Sequence, residues 1–164
     1  MFMKRKKINY DQIIEEINKY IISGRCIIYC ALPRICKELK TYIANKINEC
    51  EVDLFHGDLT GERKNLSLTK WKTGVTKIII AKNAFGMGIN TPDVNLIIYF
   101  NFPLSLGQYI QENRRAGRDD RKAKSVIFYS KSELKFLYGI ISEKRRRKIQ
   151  MFTTMVAFLL CMVH

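Results

Sequence analysis

Five short runs, almost continuously apolar and β-rich, restrict this chain more than any other feature of it. They are RCIIYCAL from Arg25, VDLFHG from Val52, VTKIIIAK from Val75, VNLIIYF from Val94 and KSVIFYS from Lys124. A strand buried on both faces reads this way, because neither face calls for alternate polar residues. Around and between them the apolar period changes to that of a helix. YDQIIEEINKYIISG carries Ile13, Ile17, Tyr20 and Ile21 on one face, with Asp11 near its start and Gly24 past its end. RICKELKTYIANKINE has Ile35, Leu39, Tyr42, Ile43 and Ile47 as its stripe, and TGERKNLSLTKWKTG is expected to be a helix ending at Gly74. LSLGQYIQENRRAG and KSELKFLYGIISEKRRRK are read as two further helices. The alternation predicts βαβ units: an α/β sandwich whose parallel sheet is covered on both sides. Ligands of such sheets meet the loops at the carboxyl ends of the strands. Here those are ALPR, HGDLTGER, KNAFGMGINTPD and NFPLSL, so chemistry is expected there.

The charge narrows the class of partner. A formal net charge of +14 on 164 residues, with a composition 47% hydrophobic and 27% charged, describes a globular domain attracted to nucleic acid or to an anionic membrane surface. A ribosomal or chromatin type of protein would carry the same excess. Five cysteines (Cys26, Cys30, Cys36, Cys50, Cys161) form no C-x-x-C pair, and the first three lie in or beside apolar sequence, which predicts reduced thiols in nucleus or cytosol. The opening MFMKRKKINYDQ lacks the apolar core of a secretory signal. The closing MFTTMVAFLLCMVH is too short for a membrane span and reads as a core segment, so no membrane partner is expected.

Two segments carry more specific chemistry. AFGMGINTP, Ala84 to Pro92, follows the third strand run, and Gly86 and Gly88 would let backbone approach a phosphate or another backbone closely. The dinucleotide fingerprint asks for a third glycine and a helix, and Thr91-Pro92 supplies neither. QENRRAGRDD, Gln111 to Asp120, sets Arg114, Arg115 and Arg118 around Ala116 and Gly117. Taken alone it reads as a solvated helix end whose cations complement the helix dipole.

Together, IIYC, FHGDL, AFGMGINTPDV and YIQENRRAGRDD, in this order, resemble the second RecA-like lobe of RecQ-family ATP-dependent DNA helicases of superfamily 2, over Lys4 to Lys148. The resemblance implies a RecA-like three-layer sandwich with a mostly parallel sheet. It implies ATP with magnesium in a cleft between two lobes, the first lobe holding phosphates and metal and the second presenting arginines to the γ-phosphate. By motif position Arg118 is the arginine finger and Arg115 its companion, catalytic in that sense. Gln111 and Glu112 orient the arginines or bridge the lobes, and Gly86, Gly88 and Asn90 shape the ATP-side loop. His56, Gly57, Arg63, Lys82 and Asn83 are the candidates for gripping single-stranded or partly duplex DNA, His56 having a structural histidine as its ordinary alternative. Lys4 to Lys7 and Arg145 to Lys148 add sequence-independent attraction or serve nuclear import. Trp71 and the other aromatics fall at core spacing.

The sequence departs from the family's pattern at Arg114 and Asp120, which stand for glycines, at Leu32-Pro33, which stand for Ser-Arg, and at Lys82, which stands for Thr. It contains no G-x-x-x-x-G-K-[ST] and no D-E-x-H. Residues 1–148 are therefore expected to be one helicase lobe and 149–164 the start of a following zinc-binding-like segment. Cys161 and His164 cannot make a four-ligand site unaided, so zinc is not expected. The lobe is expected to be inactive alone and to need the first lobe in cis or in trans. The alternative from another class is a non-catalytic DNA-binding remnant.

Overall fold

The computed structural model describes residues 2–5, 10–21, 24–47, 51–82, 85, 93–103, 105–117 and 122–130. Among these, β1 (Phe2–Arg5), α1 (Asp11–Tyr20), β2 (Arg25–Tyr29), α2 (Pro33–Ala44), β3 (Val52–Phe55), α3 (Gly61–Thr73), β4 (Ile78–Ala81), β5 (Val94–Tyr99), α4 (Leu106–Asn113) and β6 (Lys124–Tyr129) follow in chain order. The strands form one sheet in the order β1-β6-β5-β2-β4-β3, and every pairing is parallel. The five apolar runs all became strands. The sixth, β1, was not foreseen: the basic FMKR pairs at the sheet's edge, Phe2 opposite Val126 and Arg5 opposite Tyr129. An edge tolerates cations that a central strand would not, so hydrophobic patterning gives no signal for it.

Side chains alternate between two buried layers. Cys26, Ile28, Ile80, Ile98 and Val126 face α1 and α2, where Ile13, Ile17, Cys36, Leu39 and Ile43 meet them. Ile27, Tyr29, Ile79, Ile97, Tyr99 and Ile127 face α3 and α4, where Trp71 and Tyr109 meet them. This is the three-layer sandwich expected from the alternation of elements. On α1, Ile13 and Ile17 are buried as the stripe predicts, and so is Glu16, whose carboxylate takes Lys124 Nζ at 2.8 Å. On α2, Cys36 joins Leu39 and Ile43 in the core, while Ile35, Tyr42 and Ile47 are only partly covered.

The helix ends follow local chemistry. Thr60 caps α3 by accepting from Arg63 N at 3.3 Å, and Gly74 closes it at φ 81°, a conformation that suits glycine. Ser105 caps α4 by accepting from Gln108 N at 3.1 Å. The sequence suggested that α4 continues to Gly117, but it stops at Asn113. Arg115 N and Ala116 N then turn back onto the carbonyls of Glu112 and Asn113, and Gly117, at φ 68°, donates to the Val94 carbonyl at 3.1 Å. At the sheet's amino end, Arg25 is pinned to Asp93 at 2.7 Å, lies 5.2 Å over the Trp71 ring and donates to the Trp71 carbonyl.

Candidate nucleotide and nucleic-acid sites

The chain places its candidate residues in two groups on different parts of the sheet. The first surrounds the carboxyl ends of β3 and β4. His56 follows β3 directly, Leu59 N returns to its carbonyl at 3.3 Å, and Lys82 N donates to Phe55 O at 3.1 Å, so the two strand ends run side by side. Gly57 is exposed, with nothing within 4 Å of where a Cβ would stand, and Lys64 Nζ donates to its carbonyl at 2.6 Å. The imidazole of His56 is buried, 3% exposed, and neither ring nitrogen hydrogen-bonds another described residue; Asp58 Oδ2 is 3.7 Å from Nδ1.

Arg63 has a partner that the sequence did not reveal. Its Nη2 donates to Asp53 Oδ1 at 2.9 Å, and the same buried carboxylate receives Ser67 Oγ at 2.8 Å and Leu54 N at 2.8 Å. Asp53 thus fastens α3 to β3 with polar bonds, on a helix whose fully buried residues are only Ser67 and Trp71. His56, Gly57 and the Lys82 backbone meet at these strand ends, while the Arg63 side chain is held at Asp53. Asn83 lies outside the described residues.

The second group lies under the sheet, between α3 and α4. Phe85, at the head of the glycine-bearing loop, packs edge-on against Trp71 and Phe55, at 5.4 and 5.1 Å between ring centroids. The Tyr29 hydroxyl donates to the Phe85 carbonyl at 3.4 Å, with Arg115 close enough for its charge to act on the same hydroxyl. Tyr29 stacks on Tyr99 at 5.4 Å, and Tyr99 lies 5.4 Å from Tyr109, to whose carbonyl it donates at 3.4 Å. Glu112 is 4% exposed; Gln108 Nε2 donates to its Oε1 at 3.0 Å, and the Tyr99 hydroxyl also lies against this carboxylate.

Burial decides the electrostatics of this cluster. It raises both Tyr29 and Tyr99 well above the ordinary phenol value, with the Glu112 carboxylate adding to the effect, so both hydroxyls stay protonated as donors. It also raises Glu112, against the opposing pull of the Gln108 and Tyr99 hydrogen bonds and the Arg115 charge. Of the residues named from sequence, Arg115 is half-buried here and Gln111 is exposed on α4. Arg118, Gly86, Gly88 and Asn90 lie outside the described residues.

The arginine segment is not among the loops at the carboxyl ends of the strands; it follows α4 and docks on Val94, the first residue of β5. The carboxyl-end crevice between β2 and β5, where the chain departs to opposite faces of the sheet, is a cavity of about 50 Å³ bordered by Tyr29, Ala31, Asn101, Phe102 and Gln108. That is room for water-sized guests, far below what a nucleotide needs. The sequence reading also passed over Tyr29, Tyr99 and Gln108 as site residues. The available signal was a hydroxyl-bearing aromatic at the end of two neighbouring buried strands, since a buried Tyr O–H seeks a partner.

Comparison with known proteins agrees with these motifs. The family model for the helicase conserved C-terminal domain matches residues 9–120. ATP-dependent DNA helicase hus2/rqh1 of Schizosaccharomyces pombe is 32% identical over 162 residues, covering 95% of this chain and 12% of that protein. ATP-dependent DNA helicase Q1 of Pongo abelii is 33% identical over 77% of this chain and 20% of its own, and ATP-dependent DNA helicase RecQ of Pasteurella multocida 31% over 80% and 21%. The chain thus spans about an eighth to a fifth of the length of these relatives. Among solved structures, domain 2 of the DEAD-box helicase Mss116p, bound to an RNA duplex, superposes with a TM-score of 0.70 at 20% identity, over 82% of this chain and 56% of that one. The C-terminal domain of the DEAD-box protein Dbp5 gives 0.67 at 22%, over 87% and 83%. These two likenesses show the RecA-like fold.

Proposed function

Since the chain belongs to the helicase conserved C-terminal domain family and its sequence is RecQ-like within it, we propose that it serves as the second motor lobe of an ATP-dependent 3′–5′ DNA helicase. The observation that carries this reading is the approach of two distant motifs to one side chain: the Tyr29 hydroxyl donates to the carbonyl of Phe85, which opens the glycine loop, and lies within electrostatic reach of Arg115, in the arginine segment. A site that senses a phosphoryl group needs those motifs side by side. The negative charge spread over a transferring γ-phosphoryl is matched by planar guanidinium forks. Arg118 would be the finger, with Arg115 beside it, while Gln111, Gly86, Gly88 and Asn90 border the nucleotide.

ATP is the substrate and comes with magnesium. The described residues hold no group of three or more His, Cys, Asp or Glu suited to a metal ion, so the phosphate and magnesium ligands are assigned to the first lobe, in cis or in trans. This lobe contributes arginines, closure and grip. His56, Gly57, Arg63, Lys82 and Asn83 form the DNA-facing edge; Arg63 has donors to spare beyond the one given to Asp53, and the net charge of +14 supplies attraction to the phosphate backbone. Closure around ATP and opening after hydrolysis would then move the lobe along one strand. The buried cysteines Cys26, Cys30 and Cys36 suit a reducing compartment, nucleus or cytosol, and no helix among the described residues is long and apolar enough to cross a membrane.

The test is to complete the motor with a first lobe carrying the phosphate loop and to measure DNA-stimulated ATP hydrolysis. Arg118→Ala is expected to lower turnover by roughly 10³–10⁵, the worth of an arginine finger. Unchanged turnover refutes the finger. The isolated chain is expected to bind DNA with a steep salt dependence and to hydrolyse no ATP. A completed motor that stays inactive while DNA binding persists would leave a non-catalytic DNA-binding remnant.

A further inference from the structure

Arg25 is a cation at the start of a strand that is otherwise buried and apolar, and no candidate group read from the sequence contains it. Its planar guanidinium makes three contacts at once. Nε pairs with Asp93 Oδ2 at 2.7 Å, Nη1 donates to the Trp71 carbonyl, and the plane lies 5.2 Å over the Trp71 ring. A lysine could not reproduce this fork, since its ammonium is a point charge with no face to stack. The backbone repeats the link, with Arg25 N donating to the Asp93 carbonyl at 2.9 Å. The chain segments lie so close here that a Cβ on Gly24 would stand 2.6 Å from that carbonyl oxygen.

Directly beyond this pin the sheet shifts its register. Arg25 lies opposite Val94 but Cys26 lies opposite Leu96, so Asn95 is one residue too many on β5. Such a bulge is rare between parallel strands, and bulges re-aim groups or end pairing. Here the Val94 carbonyl accepts from Gly117 N at 3.1 Å, a bond outside the strand ladder. The turn leading to Gly117 is held at its other end by Arg115 N on the Glu112 carbonyl, at 3.2 Å. Arg115 therefore sits between two backbone anchors, α4 on one side and the bulge on the other.

We propose that Arg25 is a positioning residue: by fixing Asp93 it holds the bulge whose Val94 carbonyl seats Gly117, and so sets where the turn bearing Arg115 lies. The seat itself rests on the bonds of this chain. Its use, in aiming the arginine segment at a nucleotide, rests on the lobe reading above.

The experiment is amide hydrogen exchange followed by NMR on the 164-residue chain. Gly117 N–H is the reporter, and Cys30 N–H, bonded to the Ala81 carbonyl at 2.9 Å in the central sheet, is the reference. Arg25→Lys keeps the charge and loses the fork. It should change the emission of Trp71, the chain's single tryptophan, and raise Gly117 exchange relative to Cys30 roughly tenfold, the worth of one charge-assisted hydrogen bond. Asp93→Asn should raise the ratio similarly, and the double variant should add little, because both remove one link. Lys124→Met breaks the Glu16–Lys124 pair at 2.8 Å and should lower stability without changing the ratio. An Arg25 that only stabilises the fold would behave as Lys124 does. The proposal is overturned if the ratio stays put in Arg25→Lys and Asp93→Asn, or if their effects add. In the completed motor, Arg25→Lys should lower kcat for ATP roughly 10- to 100-fold with affinity for DNA unchanged. An unchanged kcat overturns the use of the seat. If the motor is inactive with Arg25 in place while the exchange ratio shifts as expected, the lobe reading fails and the seat stands.

Discussion

On the face covered by α1 and α2 the strands present Ile28, Ile80, Ile98 and Val126 to Ile13, Ile17, Leu39 and Ile43. On the face covered by α3 and α4 the same strands present Tyr29 and Tyr99 to Trp71, Phe85 and Tyr109. The residues named in both layers are buried, and both layers remove apolar surface from water. They differ in what burial then demands. An aliphatic side chain asks for nothing further, whereas each buried hydroxyl must find a partner or weaken the fold. The partners found on the second face are the Phe85 carbonyl for Tyr29 and the Tyr109 carbonyl for Tyr99, with the Glu112 carboxylate and the Arg115 charge close by. One layer stabilises; the other stabilises and also connects strands to function. The first layer has a polar pair of its own, Glu16 with Lys124 at the amino end of β6, and it is an ion pair between α1 and the sheet.

The comparison breaks most visibly under large cavities. Leu39→Ala should cost about 2–5 kcal/mol and Trp71→Ala about 3–5 kcal/mol, measured by urea unfolding. The two should then diverge in a second readout. Trp71 packs on Phe85 at 5.4 Å, so its loss should also shift the Phe85 carbonyl resonance, while loss of Leu39 should leave that resonance where it is. Equal movement by both variants would mean that the layers are not distinct.

Asp53 offers a test of intermediate size. It lies level with Ile79 on the aromatic side and replaces apolar contact with three hydrogen bonds, two of them holding α3. Asp53→Ala leaves Ser67 with the Leu54 carbonyl alone and Arg63 without its buried acceptor, and is expected to cost about 1–3 kcal/mol. Asp53→Asn keeps an acceptor and should cost less. A negligible effect of Asp53→Ala would show that Trp71 alone anchors the helix.

The same contrast explains what the sequence reveals and what it hides. Buried strands and amphipathic stripes are statements about apolar periodicity, and Ile27, Ile79 and Ile97 advertise themselves by it. Polar residues that are buried because of a distant partner do not. Glu16 carries no apolar signal, and its burial depends on Lys124, more than a hundred residues away. Asp53 and Ser67 read as ordinary strand and helix residues, yet they meet across the layer. The strand β1 was invisible because an edge can be made of lysine and arginine. The arginine segment was legible as a motif, but its location was not: a loop's attachment to Val94 is set by where α4 stops, and Asn113 gives no apolar signal for that. Tyr29 was legible as core and illegible as a link, since its second role depends on a carbonyl 56 positions away.

The smallest expected effect concerns the charge inside the aromatic layer. Burial raises Glu112 above its ordinary value of 4.5, while hydrogen bonds from Gln108 and Tyr99 and the Arg115 charge pull the other way without cancelling it. A carboxyl raised in the folded state holds a proton that the unfolded chain has already released. Stability therefore falls as pH rises from about 4.5 through the higher folded value, and the loss is complete above it. Glu112→Gln removes the charge and keeps an acceptor for Gln108. It should raise the melting temperature at neutral pH. The gain should shrink as pH is lowered and vanish below about 4.5. A difference that is independent of pH, or a loss at neutral pH, would mean that the Gln108, Tyr99 and Arg115 contacts outweigh burial. The aromatic layer would then be anchored by its carboxylate, and the cost that separates it from the aliphatic layer would lie in the tyrosine hydroxyls alone.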